Sequence, residues 1–172
     1  MTLQEHSLIR PHTLAITVDN EPGALARIVG MFSARGYNIE SLSVADISEK
    51  HDVSRVTVVT QGDEHTVEQI MAQCERLVPV HRVADLTEEG GHVEREFALV
   101  KVRGKGEDRL EAMRLAEIYR ARVVDATMES FIFEITGSTD KVDQFIDLMR
   151  QIGLVEIGKS GVVAISRGAE AA

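Results

Sequence analysis

Residues 12–35 read HTLAITVDNEPGALARIVGMFSAR, and the pattern changes period once within them. Leu14, Ile16 and Val18 alternate with smaller or polar residues, which predicts a strand from about His12 to Asp19. The turn Asn20-Glu21-Pro22-Gly23 follows, with Pro22 suited to a first helical turn. Leu25, Ile28, Val29 and Phe32 then recur at helical spacing, and Gly36 is a natural C-terminal cap.

Outward from this strand–turn–helix unit the two periods take turns. Leu42 with Val44, and Val56 with Val58, predict two further strands, separated by the polar run Asp46 to Asp52. Thr66 and Gln69 have capping-box spacing and open a second helix, and a short strand near Val80 to Leu86 closes the unit. The order is βαββαβ. After the polar break at 87–92 the same order returns. Phe97 to Val102 reads as a strand, and Asp108 to Ala121 as a helix with Ala112, Leu115, Ile118 and Tyr119 on one side. Val123 to Thr127 and Phe131 to Thr136 read as a strand pair, Thr139 to Ile152 as a helix, and Val155 to Ile165 as a last strand with Gly158 or Gly161 as break points.

The second helices of the two halves carry the duplication. Val67, Ile70, Met71, Cys74 and Leu77 stand at offsets 0, 3, 4, 7 and 10, and Val142, Phe145, Ile146, Met149 and Ile152 repeat them. The expected fold is therefore α+β: two tandem ferredoxin-like βαββαβ modules, over 10–86 and 93–168, each an antiparallel sheet with both helices on one face. Such a module leaves a sheet face and an edge strand uncovered. In the first module that face would carry Ala15, Thr17, Arg55, Thr57 and Val59, a mixed surface suited to a partner, so a homodimer at least is expected.

Composition narrows the function. The 172 residues are 44% hydrophobic and 27% charged, ordinary globular material with two cores' worth of apolar side chains. No run approaches the roughly 18–20 apolar residues of a membrane span, and Met1 to Pro11 carries Glu5, His6 and Arg10 where a signal peptide would be apolar. A soluble cytoplasmic protein is expected. Net charge is −9, with −7 in residues 1–90 and −2 in 91–172, and tryptophan is absent, which disfavours nucleic acid as a partner.

Catalytic chemistry is hard to find. The six histidines (His6, His12, His51, His65, His81, His92) form no metal-ligand spacing and read as scattered surface or loop residues. Cys74, the single cysteine, lies in the apolar stripe of a helix and reads as a core thiol. Arg103-Gly104-Lys105-Gly106-Glu107-Asp108 lacks the third glycine of a dinucleotide fingerprint and the Gly-Lys-Ser/Thr of a phosphate loop, leaving a strand-to-helix turn. No carboxylate pair stands out as acid and base, so neither an active site nor a metal site is expected in this chain. Two features remain. Asn20 to Leu25 runs from a strand end into a helix N-terminus, where unpaired N–H groups and the helix dipole suit a carboxylate; the same residues also serve as plain turn and cap. Gly36-Tyr37-Asn38-Ile39 hands the helix to the next strand, and Asn38 could accept from an ammonium group or simply close the turn.

These two segments, in the βαββαβ order, resemble an ACT domain, a module that binds small amino acids. The whole chain, roughly 10–168, is similar to the regulatory (small) subunit family of acetolactate synthase. The likeness lies in Arg35 to Leu42, Ser54-Arg55-Val56-Thr57, His92-Val93-Glu94-Arg95-Glu96 with Leu99-Val100-Lys101-Val102, and Ser160-Gly161-Val162-Val163 through Ser166-Arg167-Gly168. The resemblance implies a non-catalytic subunit with no cofactor of its own. It would partner a large subunit that holds thiamine diphosphate, Mg²⁺ and FAD, raise that subunit's activity, and make it sensitive to valine, or to leucine or isoleucine. By position, Asn20, Gly23, Ala24 and Leu25 of one protomer and Asn38 and Ile39 of another would hold the effector at an ACT–ACT interface. The N–H groups of Ala24 and Leu25 would take its carboxylate; Asn20, Asn38 and the Ile39 carbonyl would surround its ammonium. The second module lacks the Asn-x-x-Gly-Ala-Leu pattern, so it is expected to bind no effector and to contact the large subunit. A stand-alone two-ACT amino-acid sensor from another pathway is the alternative.

Overall fold

A computed structural model describes residues 8–171. The chain runs β1 (Arg10–Asp19), α1 (Ala24–Arg35), β2 (Ser41–Asp46), β3 (Val53–Gly62), α2 (Glu64–Glu75), β4 (Val80–Asp85), β5 (His92–Arg103), α3 (Glu107–Tyr119), β6 (Arg122–Ala126), β7 (Ser130–Gly137), α4 (Thr139–Ile152) and β8 (Leu154–Ser166). It forms two four-stranded sheets, ordered β2-β3-β1-β4 and β6-β7-β5-β8, so the tandem α+β architecture with antiparallel sheets stands as expected. Among the described residues, one compact unit comprises 8–93 and 163–171 and the other 94–162. Among the described residues no helix is long and apolar enough to cross a membrane. The leader reading of Met1 to Pro11 rests mostly on residues 1–7, which, with His6, lie outside the described part.

In the first unit Leu14, Ile16 and Val18 of β1 and Val56 and Val58 of β3 share the helix-covered face. They meet Ile28 and Phe32 of α1 and Val67, Ile70 and Cys74 of α2. Burying a side chain of this size contributes about 1.5–3 kcal/mol, so this face fixes the β1–β3 register, Leu14 opposite Val58 and Ile16 opposite Val56. The second unit repeats the plan with Ala98, Val100 and Val102 against Phe131, Phe133 and Ile135, roofed by Ala112 and Ala116 of α3 and Phe145 and Met149 of α4.

Four local expectations are corrected. Asp63, not Thr66, caps α2: its carboxylate accepts from the Thr66 N–H at 2.7 Å, and the Thr66 side chain first and this N–H second hold the carboxyl below its ordinary range. On α3 the buried side chains are Ala112 and Ala116, while Ile118 is 72% exposed. β8 is unbroken across Gly158, and Gly161 bends it at φ +79° without ending it. The far face of the first sheet is not wholly open, since Ala15 and Thr57 are buried there. Arg55 Nη2 donates to the Ala164 carbonyl at 3.2 Å and Arg82 Nη1 to that of Ala171 at 3.1 Å, laying the chain's own C-terminal segment against that face.

Candidate functional site

The turn after β1 is built to leave donors exposed. Glu21 N–H closes onto the Asp19 carbonyl at 3.0 Å, and Ala24 N–H onto Glu21 at 3.2 Å. Gly23 then takes the left-handed conformation (φ +90°) as the N-cap of α1, a geometry that strains residues with a Cβ by about 1–2 kcal/mol. The first i−4 bond of the helix is Arg27 N–H to the Gly23 carbonyl, 3.0 Å. No partner among the described residues takes the N–H groups of Leu25 and Ala26, and the first turn carries no acidic side chain. Ala24's N–H is thus engaged by the turn, and the free pair is Leu25 with Ala26, one residue further along than the sequence pattern indicates. A Cβ built on Gly23 would meet nothing within 4 Å, so the approach to these donors is open.

Asn20 is fixed beside this helix end. Its N–H bonds the Asp52 carbonyl (2.8 Å), and its side-chain Nδ2 donates to the His51 carbonyl (2.9 Å). A carbonyl only accepts, so this bond sets the amide's orientation and presents Oδ1 as an acceptor. His51 itself stands in the left-handed region (φ +58°), in a hairpin braced by Asp46. The Asp46 carboxyl accepts from the Ser48 N–H and contacts His51 Nδ1, and in that order the two hold it below its ordinary range. Sequence reasoning missed both Ala26 and His51, because both act through their backbones.

Asn38 and Ile39 lie past the other end of α1. Gly36 (φ +73°) caps the helix, and Tyr37 N–H returns to the Phe32 carbonyl at 3.0 Å. The Asn38 carbonyl accepts from Thr60 Oγ1 at 2.6 Å, leaving its side chain exposed, while Ile39 packs on the edge of the core. Twelve helical residues separate Gly23 from Gly36, and at 1.5 Å per residue that is about 18 Å. The structure therefore groups Asn20, Gly23, Ala24 and Leu25 at one end of the unit, and Asn38 with Ile39 at the other.

The corresponding turn of the second unit is as open at its N-cap, where a Cβ on Gly106 would meet nothing within 4 Å, and differs in its approach and in its first turn. Gly104 N–H bonds the Glu129 carbonyl at 3.1 Å, and a Cβ on Gly104 would lie 3.3 Å from the backbone of Asp108 and Arg109. Glu107 and Asp108 occupy the first turn of α3, so its positive end is already matched by carboxylates. Elsewhere Cys74 is fully buried, and burial, with Glu75 second, pushes its thiol up to about 12, as befits a core residue. One histidine departs from its expected surface place. His12 is 1% exposed, its Nδ1 lying 2.7 Å from Asp85 Oδ2.

Paired βαββαβ units, the first opening a bare helix N-terminus between Asn20 and Leu25, define the class: a protein of two tandem ferredoxin-like modules of the ACT type. A family model described as an AHAS small subunit-like ACT domain matches residues 14–82, and another, described as the small subunit of acetolactate synthase, matches 95–168. An Archaeoglobus fulgidus protein named probable acetolactate synthase small subunit is 48% identical over 91% of this chain and 97% of its own. The isozyme 3 small subunit of Escherichia coli is 44% identical over 90% and 94%. The crystal structure of the acetolactate synthase small subunit from Thermotoga maritima superposes with a TM-score of 0.83 at 40% identity, covering 94% of this chain and all of that one. The chain belongs to the acetolactate synthase small subunit family.

Proposed function

We propose that this chain binds the catalytic large subunit of acetolactate synthase in the cytoplasm, raises its activity, and confers feedback inhibition by valine. The large subunit would hold thiamine diphosphate, Mg²⁺ and FAD; this chain's contribution is a sensor. The observation that carries the reading is the open N-terminus of α1. Two unpaired N–H groups, at Leu25 and Ala26, face an approach kept clear by Gly23, with no carboxylate of the chain's own in the first turn.

An α-amino acid needs an acceptor for its ammonium as well, and Asn20 Oδ1 supplies one beside those donors. Asn38 and Ile39 complete the site from a second copy, because one copy holds them about 18 Å away along α1. Closing the site then joins two first units, which makes effector binding and dimer geometry interdependent. Each tenfold preference for the less active arrangement is worth about 1.4 kcal/mol per site. Leucine and isoleucine present the same carboxylate and ammonium, and they differ from valine only in the apolar side chain.

The test is acetolactate formation by the cognate large subunit, with and without this chain, across a valine titration. Activation that valine reverses is expected. No activation of a demonstrably competent large subunit would overturn the reading and leave an amino-acid sensor of another pathway.

A further inference from the structure

Away from the α1 turn, the first unit holds a cavity of about 240 Å³ whose lining includes His12, Glu64, Glu68, Met71, Asp85 and Glu88. Glu64, Glu68 and Met71 lie on one face of α2, His12 comes from β1, and Asp85 ends β4. His12 and Asp85 are both buried, and Nδ1 sits 2.7 Å from the Asp85 carboxylate. That leaves Nε2, a buried nitrogen that finds no hydrogen-bond partner among the described residues. A lone buried polar atom of this kind costs about 1–3 kcal/mol, which favours a ligand that would satisfy it. One ligand atom from each of His12, Asp85 and Glu88 lies within 4.8 Å of the others.

We infer that this cavity is a binding site for a first-row divalent transition cation, of the Mn²⁺, Co²⁺ or Zn²⁺ class. Imidazole with carboxylates is the donor set such ions share, and it is too nitrogen-poor for copper and too nitrogen-rich for calcium. A carboxylate on Nδ1 fixes the ring tautomer that offers Nε2 as the ligand, the arrangement common to metal-binding histidines. Glu88 supplies oxygen from the turn after β4. The guanidinium of Arg10 lies on Glu88 Oε1 and is the positive charge the ion must displace. A cation held here would pin the start of β1 to the end of β4 and the turn after it.

The experiment is a Co²⁺ titration of the full chain, followed by calorimetry and by the visible d–d absorption. One ion per chain is expected. Glu88→Gln, on the exposed rim, and His12→Gln should each weaken binding by roughly tenfold or more, with the fold checked by far-UV circular dichroism. Arg10→Ala, which removes the competing charge, should strengthen it. No binding by the folded wild-type chain, or binding that both Glu88→Gln and Arg10→Ala leave unchanged, would overturn the proposal.

Discussion

The two modules share topology and differ at the same structural moment, the passage from first strand to first helix. Both helices are capped by a positive-φ glycine without a side-chain acceptor, Gly23 for α1 and Gly106 for α3. Beyond the cap they diverge. α1 opens with Ala24 and Leu25 and no acid, whereas α3 opens with Glu107 and Asp108. The second helices follow the other rule in both modules, with Asp63 and Ser138 each accepting from an N–H three residues on. A helix end is thus a vacant anion site only where the sequence declines to fill it, and in this chain the first turn of α1 meets that condition while α3 does not.

The sharpest way to break this contrast is Gly23→Asp. The substitution puts a Cβ where φ is +90° and a negative charge where the effector carboxylate would sit. Losing two hydrogen bonds to a charged group is worth about 3 kcal/mol or more, so the valine concentration for half-inhibition should rise by roughly a hundredfold. Activation of the large subunit in the same assay is the control. If activation falls in step with inhibition, the turn is a structural element and the contrast with α3 carries no functional meaning.

The cores offer a second comparison. The second unit is aromatic, with Phe133 edge-on to Phe145 at 6.0 Å between centroids and Tyr119 tilted against Phe145 at 5.6 Å; in the first unit, Cys74 faces the core from α2. Phe145→Ala should cost about 3–5 kcal/mol, and Cys74→Ala only about 1 kcal/mol, read from denaturant midpoints. Because the thiol is buried and raised to about 12, iodoacetamide should label Cys74 only at the rate at which the first unit opens. Labelling as fast as a free thiol would mean that α2 is not packed as described.

Much of this is legible in the sequence. The alternation of Leu14, Ile16 and Val18 and the helical recurrence of Ile28 and Phe32 are local patterns, and each lies in the core as its period requires. The conserved order of periods likewise carried the duplication. What local pattern could not carry is partnership at long range. His12 meets Asp85 across 73 residues, so a search for histidines at ligand spacing passes over it. The bond from Arg55 to the Ala164 carbonyl joins residues 109 apart in sequence, and no periodicity in β1 or β3 encodes it. The free donors, Leu25 and Ala26, lie one residue past the pair the pattern indicates, because the engagement of the Ala24 N–H depends on how the turn closes, which residue identity alone does not fix.

Buried charge is where the two modules can be told apart by pH. The first unit buries His12 against Asp85; the second buries Glu96, whose Oε2 is 3.0 Å from Lys159 Nζ, and that ammonium also reaches Asp143 at 2.8 Å. Burial alone would depress Lys159, but Asp143 and Glu96 outweigh it and hold the ammonium above its ordinary value. Lys159→Met strands Glu96 in the interior and should cost about 2 kcal/mol, the lower side of the range for buried pairs because Lys159 is one-third exposed. The sign of the pH effect follows from the raised value. The stabilisation from Lys159 is complete below its unfolded value near about 10.4 and is lost as pH rises through the higher folded value. The stability gap between wild type and Lys159→Met should therefore be flat through neutral pH and shrink in strong alkali. A gap that stays open through strong alkali would mean that the ammonium contributes nothing and that the cost is the lost packing of the lysine stem.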